Sequence, residues 1–252
     1  MDKLRFYEAC KAVSEGHTIK GIGTLSEKTT HAVLKRYFEP FEDTHEVKIG
    51  PYVADAVGEN GIIEIQTRGF SRLRKKLGVF LDYCPVTVVY PCAALKNIIC
   101  FDPDTGEISS RRRSPLKGNR YTVFTELEGI TAYLAHPNFR LCIMLMEIDE
   151  LRCPPEKAPP HHRKKRRKGA YSLYDRIPKE LIEEIHINDL SDWLSFLPEG
   201  LPEEFTTADM AKAGMPRPTA QLVMNTFFKA GFAERIGKRG NSYIYRTAAD
   251  HE

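Results

Sequence analysis

Apolar positions alternate with polar ones in two different periods along this chain, and the switches between them predict the elements. Leu25, Ala32, Leu34, Tyr37 and Phe38 supply the stripe of a helix that stops before Pro40, with Thr24 and Glu27 at capping-box spacing near its start. One helix thus precedes the strands. Short runs at 45–49, 52–57 and 62–67 read as three strands, the last two joined through Gly58, Glu59, Asn60 and Gly61, a strong hairpin turn. Helical spacing returns with Phe70, Leu73, Leu77 and Phe80, and 86–90 is a β-branched run suited to a buried strand. Residues 97–101, a turn at 102–106 and Glu107-Ile108 suggest an added hairpin, followed by a helix over 122–134 and an apolar strand over 139–148.

A Pro-rich and basic stretch comes next, too poor in apolar residues to offset the entropy of ordering, so residues 153–185 read as a linker between a domain over 1–152 and a module over 186–252. His161 and His162 in that stretch have no nearby thiolate or carboxylate and make a poor metal pair. In the module, 187–197 carries a helical pattern around Trp193, Thr206 or Thr207 caps a short helix over 208–213, and Gly214-Met215-Pro216 is a turn. Pro218 opens a longer helix to Ala230, and 233–236 and 242–246 flank a basic hairpin tip. The fold class is therefore α/β (α+β), a mixed sheet flanked by helices plus a small C-terminal module.

Charge refines the picture. The net charge is +3, yet six basic residues sit together at 163–168, and without them 31 basic residues face 34 acidic ones. Positive charge is thus local, a feature that can meet a polyanion. Cysteines at 10, 84, 92, 100, 142 and 153 form no CxxC pair, which excludes a zinc ribbon and argues against an oxidised scaffold. The longest purely apolar run, 141–146, is too short to span a bilayer, so the expectation is a reduced, cytoplasmic protein.

The chemistry concentrates in the first hairpin. Asp55 lies in the second strand and Glu64 and Gln66 in the third, where residues two apart share a face. Ile63 and Ile65 take the opposite face, so these polar groups interrupt an apolar strand where an unpartnered charge is costly. A divalent cation is one partner that would remove that cost. Five basic residues open the next helix region, Arg68, Arg72, Arg74, Lys75 and Lys76, and a second basic cluster holds Arg111, Arg112, Arg113, Lys117 and Arg120. As a group they favour a phosphate-bearing partner.

Asp55 followed by Glu64-Ile65-Gln66, within that order of helix, three strands, helix and strand, resembles the PD-(D/E)XK nuclease superfamily, whose fold is restriction-endonuclease-like. The resemblance implies a metal-dependent phosphodiester hydrolase in which Asp55, Glu64 and the Ile65 carbonyl hold Mg²⁺ or Mn²⁺. It further implies that Gln66 orients water or phosphate and that Glu27, on the first helix, adds a carboxylate; His31 and Glu46 are weaker candidates. Two positions depart from the pattern: Ala54 stands where a Pro is common and Gln66 where a Lys is common.

Residues 186–246 look like a winged helix-turn-helix domain. By that resemblance Arg217, Thr219, Gln221, Asn225 and Lys229 face a major groove or its phosphates, and Lys238 and Arg239 reach DNA from the wing. The expected partner is DNA, with a homodimer needed for a palindromic site. Two other readings stand beside the nuclease: a DNA-binding regulator that keeps the nuclease fold as a scaffold, and a protein-contact domain.

Overall fold

The computed structural model describes residues 1–20, 29–158 and 171–248. Seven strands form one mixed sheet: β1 (His45–Ile49), β2 (Tyr52–Gly58), β3 (Gly61–Ile65), β4 (Val86–Phe101), β5 (Ile108–Arg113), β6 (Phe139–Cys153) and β7 (Ser172–Ile187). Their order is β1-β2-β3-β4-β6-β7, with β5 also paired to β4. The three N-terminal strands form an antiparallel meander, β3, β4 and β6 run parallel, and β7 closes the far edge antiparallel to β6. β6 is buried over most of its length because neighbouring strands and helices cover it on both sides, which is why it reads as a continuous apolar run. Gly61, at φ +108, brings the chain so close to the Pro85 carbonyl oxygen that a Cβ would stand 2.1 Å from it, so only glycine fits where β3 begins beside β4.

Successive β3 residues serve opposite layers. Ile62 joins the core under α3 (Arg74–Phe80) and α4 (Phe124–Leu127), while Ile63 and Ile65 join the core under α1 (Lys3–Lys20) and α2 (Thr29–Phe38). Two helices rather than one therefore precede the strands. Phe6, Ala9 and Val13 give α1 its buried stripe, narrow enough for the surrounding charges to mask it in the sequence. Among the described residues no helix is long and apolar enough to cross a membrane.

Three other expectations change. The strands expected at 86–90 and 97–101 are one sixteen-residue strand, β4. Pro91 is tolerated inside it because β3 has ended by then and that edge requires no donor. The helix expected over 122–134 is instead a series of short turns around α4, broken at Ile130 with φ −133°; a Cβ on the adjacent Gly129 would stand 2.5 Å from the Ser71 backbone nitrogen. Finally, residues 172–185, read as linker, belong to β7, which pairs with β6 from Cys153↔Ser172 to Leu141↔Ile187. Its charges look unlike a strand because it is an edge with three register shifts, free to send Lys179, Glu180 and Glu183 to solvent. The basic run at 163–168 lies outside the described residues.

The chain then forms α5 (Leu190–Leu194), α6 (Thr207–Lys212), α7 (Arg217–Ala230) and a hairpin of β8 (Ala233–Arg239) and β9 (Ser242–Thr247). The expected helix over 187–197 shrinks to α5, since Ile187 still belongs to β7 and Asp189 caps the helix. Thr206 and Asp209 form the capping box of α6, and Gly231 ends α7 in the left-handed conformation. This unit shares a core with the large sheet through aromatic rings: Phe124 lies 4.9 Å from Phe196 and 6.4 Å from Trp193, and Trp193 stacks on Phe232 at 5.3 Å. Lys229 reaches across to Glu128 at 2.5 Å. Phe124→Ala should therefore lower stability by about 3–5 kcal/mol. Urea unfolding followed by fluorescence of Trp193, the sole tryptophan, should still coincide with far-UV circular dichroism. Separate transitions would show that the two units unfold independently.

Candidate active site

The site arises where β2 and β3 part. Their pairing ends at Ala56↔Ile63, and one step along the same register Asp55 faces Glu64. There the ladder is replaced by a crossed exchange: the Asp55 N–H donates to Glu64 Oε1 at 3.2 Å, and the Ile65 N–H donates to Asp55 Oδ2 at 2.7 Å. Ala54 turns into the α3 core and Ala56 into the α2 core, so the strand changes face at Asp55. Two carboxylates and the main chain of Ile65 thus converge in the opening between strands.

Helices supply the rest. Lys76 of α3 donates to Glu64 Oε2 at 2.6 Å, and His31 of α2 places Nε2 2.6 Å from the Ile65 carbonyl oxygen and 3.6 Å from Asp55 Oδ2. Because a carbonyl can only accept, that short contact puts the proton on Nε2. Gln66 turns away and donates through Nε2 to the Arg68 carbonyl at 2.7 Å. Glu46 sits apart, its exposed carboxylate paired with Lys35 at 3.1 Å. Glu27 lies outside the described residues.

Glu64 is only 2% exposed, and burial, reinforced by the Asp55 charge, pushes its pKa up to about 7 against the opposing pull of Lys76. The donors gathered here are oxygens: two carboxylates and the Ile65 carbonyl. That is the set a hard divalent cation selects, and a cation would relieve the same repulsion that burdens Glu64. A different donor set, Cys142, Glu184 and His186, lies within 4.8 Å on β6 and β7, where Tyr37 donates to the second Glu184 oxygen at 2.6 Å. Its thiol is buried and its pKa raised by burial and by Glu184, so it is no site for magnesium.

The profile of a domain of unknown function, DUF8091, matches residues 28–188, from just before α2 to just past β7. The chain belongs to the DUF8091 family. Asp55, Glu64, Ile65, His31 and Lys76 all fall inside the DUF8091 segment, whereas α5 to β9 follow it. The chain is also similar to an uncharacterized protein of Treponema pallidum (strain Nichols), 28% identical over 226 residues, which cover 89% of this chain and 87% of that protein. No solved structure matches.

The basic residues proposed for DNA lie at several places around the DUF8091 domain. Arg111, Arg112 and Arg113 are exposed on β5, and Lys117 is exposed in the loop after it. Arg217 and Gln221 are exposed on α7, Thr219 and Asn225 are half-buried there, and Lys229 is held by Glu128. Lys238 and Arg239 are exposed at the hairpin tip, Lys238 over the Tyr243 ring and Arg239 3.4 Å from Asp209. Sequence reasoning placed Lys76 among phosphate-binding residues and missed its bond to Glu64; the seven-residue α3 lays it across β3, a docking that no local spacing announces.

The raised Glu64 pKa sets a pH dependence. In metal-free protein the folded state holds this proton up to about pH 7 and the unfolded state releases it near 4.5, so the contribution of Glu64 to stability falls as pH rises through 7. In EDTA, Glu64→Gln should raise the urea midpoint at pH 8.5 by the equivalent of about 1–3 kcal/mol and change little at pH 4. An equal shift at both values would mean that the charge of Glu64 is not under strain.

Proposed function

We propose that this protein is a divalent-metal-dependent phosphodiester hydrolase of the PD-(D/E)XK type, acting on DNA, with the C-terminal unit serving as a winged helix. One observation carries the reading: Asp55, Glu64 and the Ile65 carbonyl meet at the opening of β2 and β3, with Lys76 bonded to Glu64. The strand order and the helices on both faces support a restriction-endonuclease-like fold for the sheet.

Asp55, Glu64 and the Ile65 carbonyl would hold Mg²⁺ or Mn²⁺, which supplies Lewis-acid polarisation of a phosphoryl oxygen and an acidified water. Lys76 answers the departure at Gln66. Its ammonium stands at the carboxylates from a neighbouring helix and supplies the positive charge that a neutral Gln66 cannot, next to the place where phosphorane charge develops. His31, hydrogen-bonded to Ile65, fixes the orientation of that carbonyl, and its imidazole is within reach of Asp55 for proton exchange. On the C-terminal unit, the exposed Arg217 and Gln221 of α7 and the hairpin-tip Lys238 and Arg239 supply a DNA-docking face, while shared aromatic packing fixes its orientation to the sheet.

A second reading has an observation of its own. The Asp55, Glu64 and Ile65 oxygens already find protein partners in Lys76, His31 and the two backbone N–H groups, which suits a DNA-binding regulator whose site is structural. Cleavage of supercoiled plasmid and of single-stranded DNA separates the two. With Mg²⁺ or Mn²⁺ the native protein should cut, and Asp55→Ala or EDTA should abolish cutting. Lys76→Met should lower the rate about 10²–10³-fold while leaving DNA affinity within a factor of two. DNA binding without any cutting would support the regulator.

A further inference from the structure

The sheet has an interruption beside the site. β4 pairs with β3 only as far as Ile65↔Val89 and with β5 only from Asn97↔Arg113, so along that edge residues 90–96 have no strand neighbour among the described residues. The loop after β5 bridges the interruption: the Ser114 N–H donates to the Lys96 carbonyl at 2.8 Å and the Gly118 N–H to the Ala93 carbonyl at 2.9 Å. It passes so close that a Cβ on Gly118 would stand 2.4 Å from Cys92 Sγ. What remains is a cavity of about 340 Å³ with Thr30 and Tyr90 in its wall.

Four cations from four separate segments line it: Arg68, Lys96, Lys117 and Arg176. A buried carboxylate holds two of them in place. Glu150, 2% exposed, lies 3.6 Å from Lys96 and 3.1 Å from Arg176, while Arg152 takes its other oxygen at 2.6 Å. Glu150 therefore cannot neutralise Arg68 or Lys117, which have no ion pair among the described residues. Positive charge gathered around a hollow attracts an anion, and its volume admits one phosphate with part of a nucleotide. The cavity also adjoins the candidate active site, since Thr67 and Arg68 directly follow Ile65-Gln66 and Thr30 directly precedes His31.

We infer that this cavity is a phosphate subsite, taking one phosphate group of a DNA strand whose neighbouring linkage lies at Asp55 and Glu64. The identity of the strand rests on the nuclease reading; the affinity for phosphate does not. Arg68 and Lys117 then act as binding residues, and Arg111 to Arg113 on β5 continue the basic surface beyond the cavity.

The test uses the full chain in EDTA, where no strand is cut, and anisotropy of 3′-labelled 12-nucleotide single strands carrying either a 5′-hydroxyl or a 5′-phosphate. The Arg68→Gln/Lys117→Gln double variant should weaken binding about tenfold and reduce the salt slope by about 0.7, the loss of one phosphate contact on a single strand. A 5′-phosphate preference that disappears in the double variant assigns the cavity to a terminal phosphate; equal binding of both strands, weakened alike, assigns it to an internal one. Unchanged affinity and salt slope in a double variant with native circular dichroism would overturn the proposal, as would a native protein that binds neither strand. Loss of cutting with retained cavity-dependent binding would instead count against the nuclease reading alone.

Discussion

A carboxylate removed from water must find a partner or keep its proton, and Glu64 is where this chain meets that constraint. It points from the middle of an otherwise apolar strand, 2% exposed, opposite a second carboxylate, and among the described residues only Lys76 offers an opposite charge to it. Nothing about folding β3 requires an acid at that position; Ile62 and Ile63 show what the strand uses to fill its two cores. That cost, together with the oxygen donors around Glu64, is what the proposed cation site rests on.

The brevity of β3 organises the surroundings. Five residues long beside sixteen-residue β4, it leaves an opening toward β2, filled by Asp55 and Glu64, and a second opening toward β5, lined by Lys96 and Lys117. Acid and base are thereby set side by side on the two edges of the sheet opening at the C-terminal end of one short strand. Helices from opposite faces then complete the arrangement: α2 brings His31 to the Ile65 carbonyl, and α3 brings Lys76 to Glu64. Each of these side chains comes from an element anchored in one of the two cores, so the site inherits the rigidity of the packing.

Much of this was legible in sequence where the signal is local. The hairpin turn was readable and Asp55 and Glu64 meet across it, while Gln66, expected on the face of Glu64, turns to the Arg68 carbonyl; the turn residues and apolar spacing of α6, α7 and the β8–β9 hairpin were readable too. What escaped depends on distant partners. β7 carries Lys179, Glu180 and Glu183 because it is an edge, and only its pairing with β6 shows it to be a strand. The break at Ile130 lies beside the close approach of Gly129 to Ser71, and the cavity lies where β3 and β5 stop short of one another. Lys76 was visible as a basic residue but not as the partner of Glu64.

The central claim is that the Asp55–Glu64 opening is a cation site. Calorimetric titration of the metal-free chain with Mn²⁺ at pH 8 tests it without depending on substrate or turnover. One ion should bind per chain, with binding lost in Glu64→Gln and in Asp55→Asn while both variants keep native circular dichroism. A flat titration of the native protein, or binding that survives both substitutions, would contradict it.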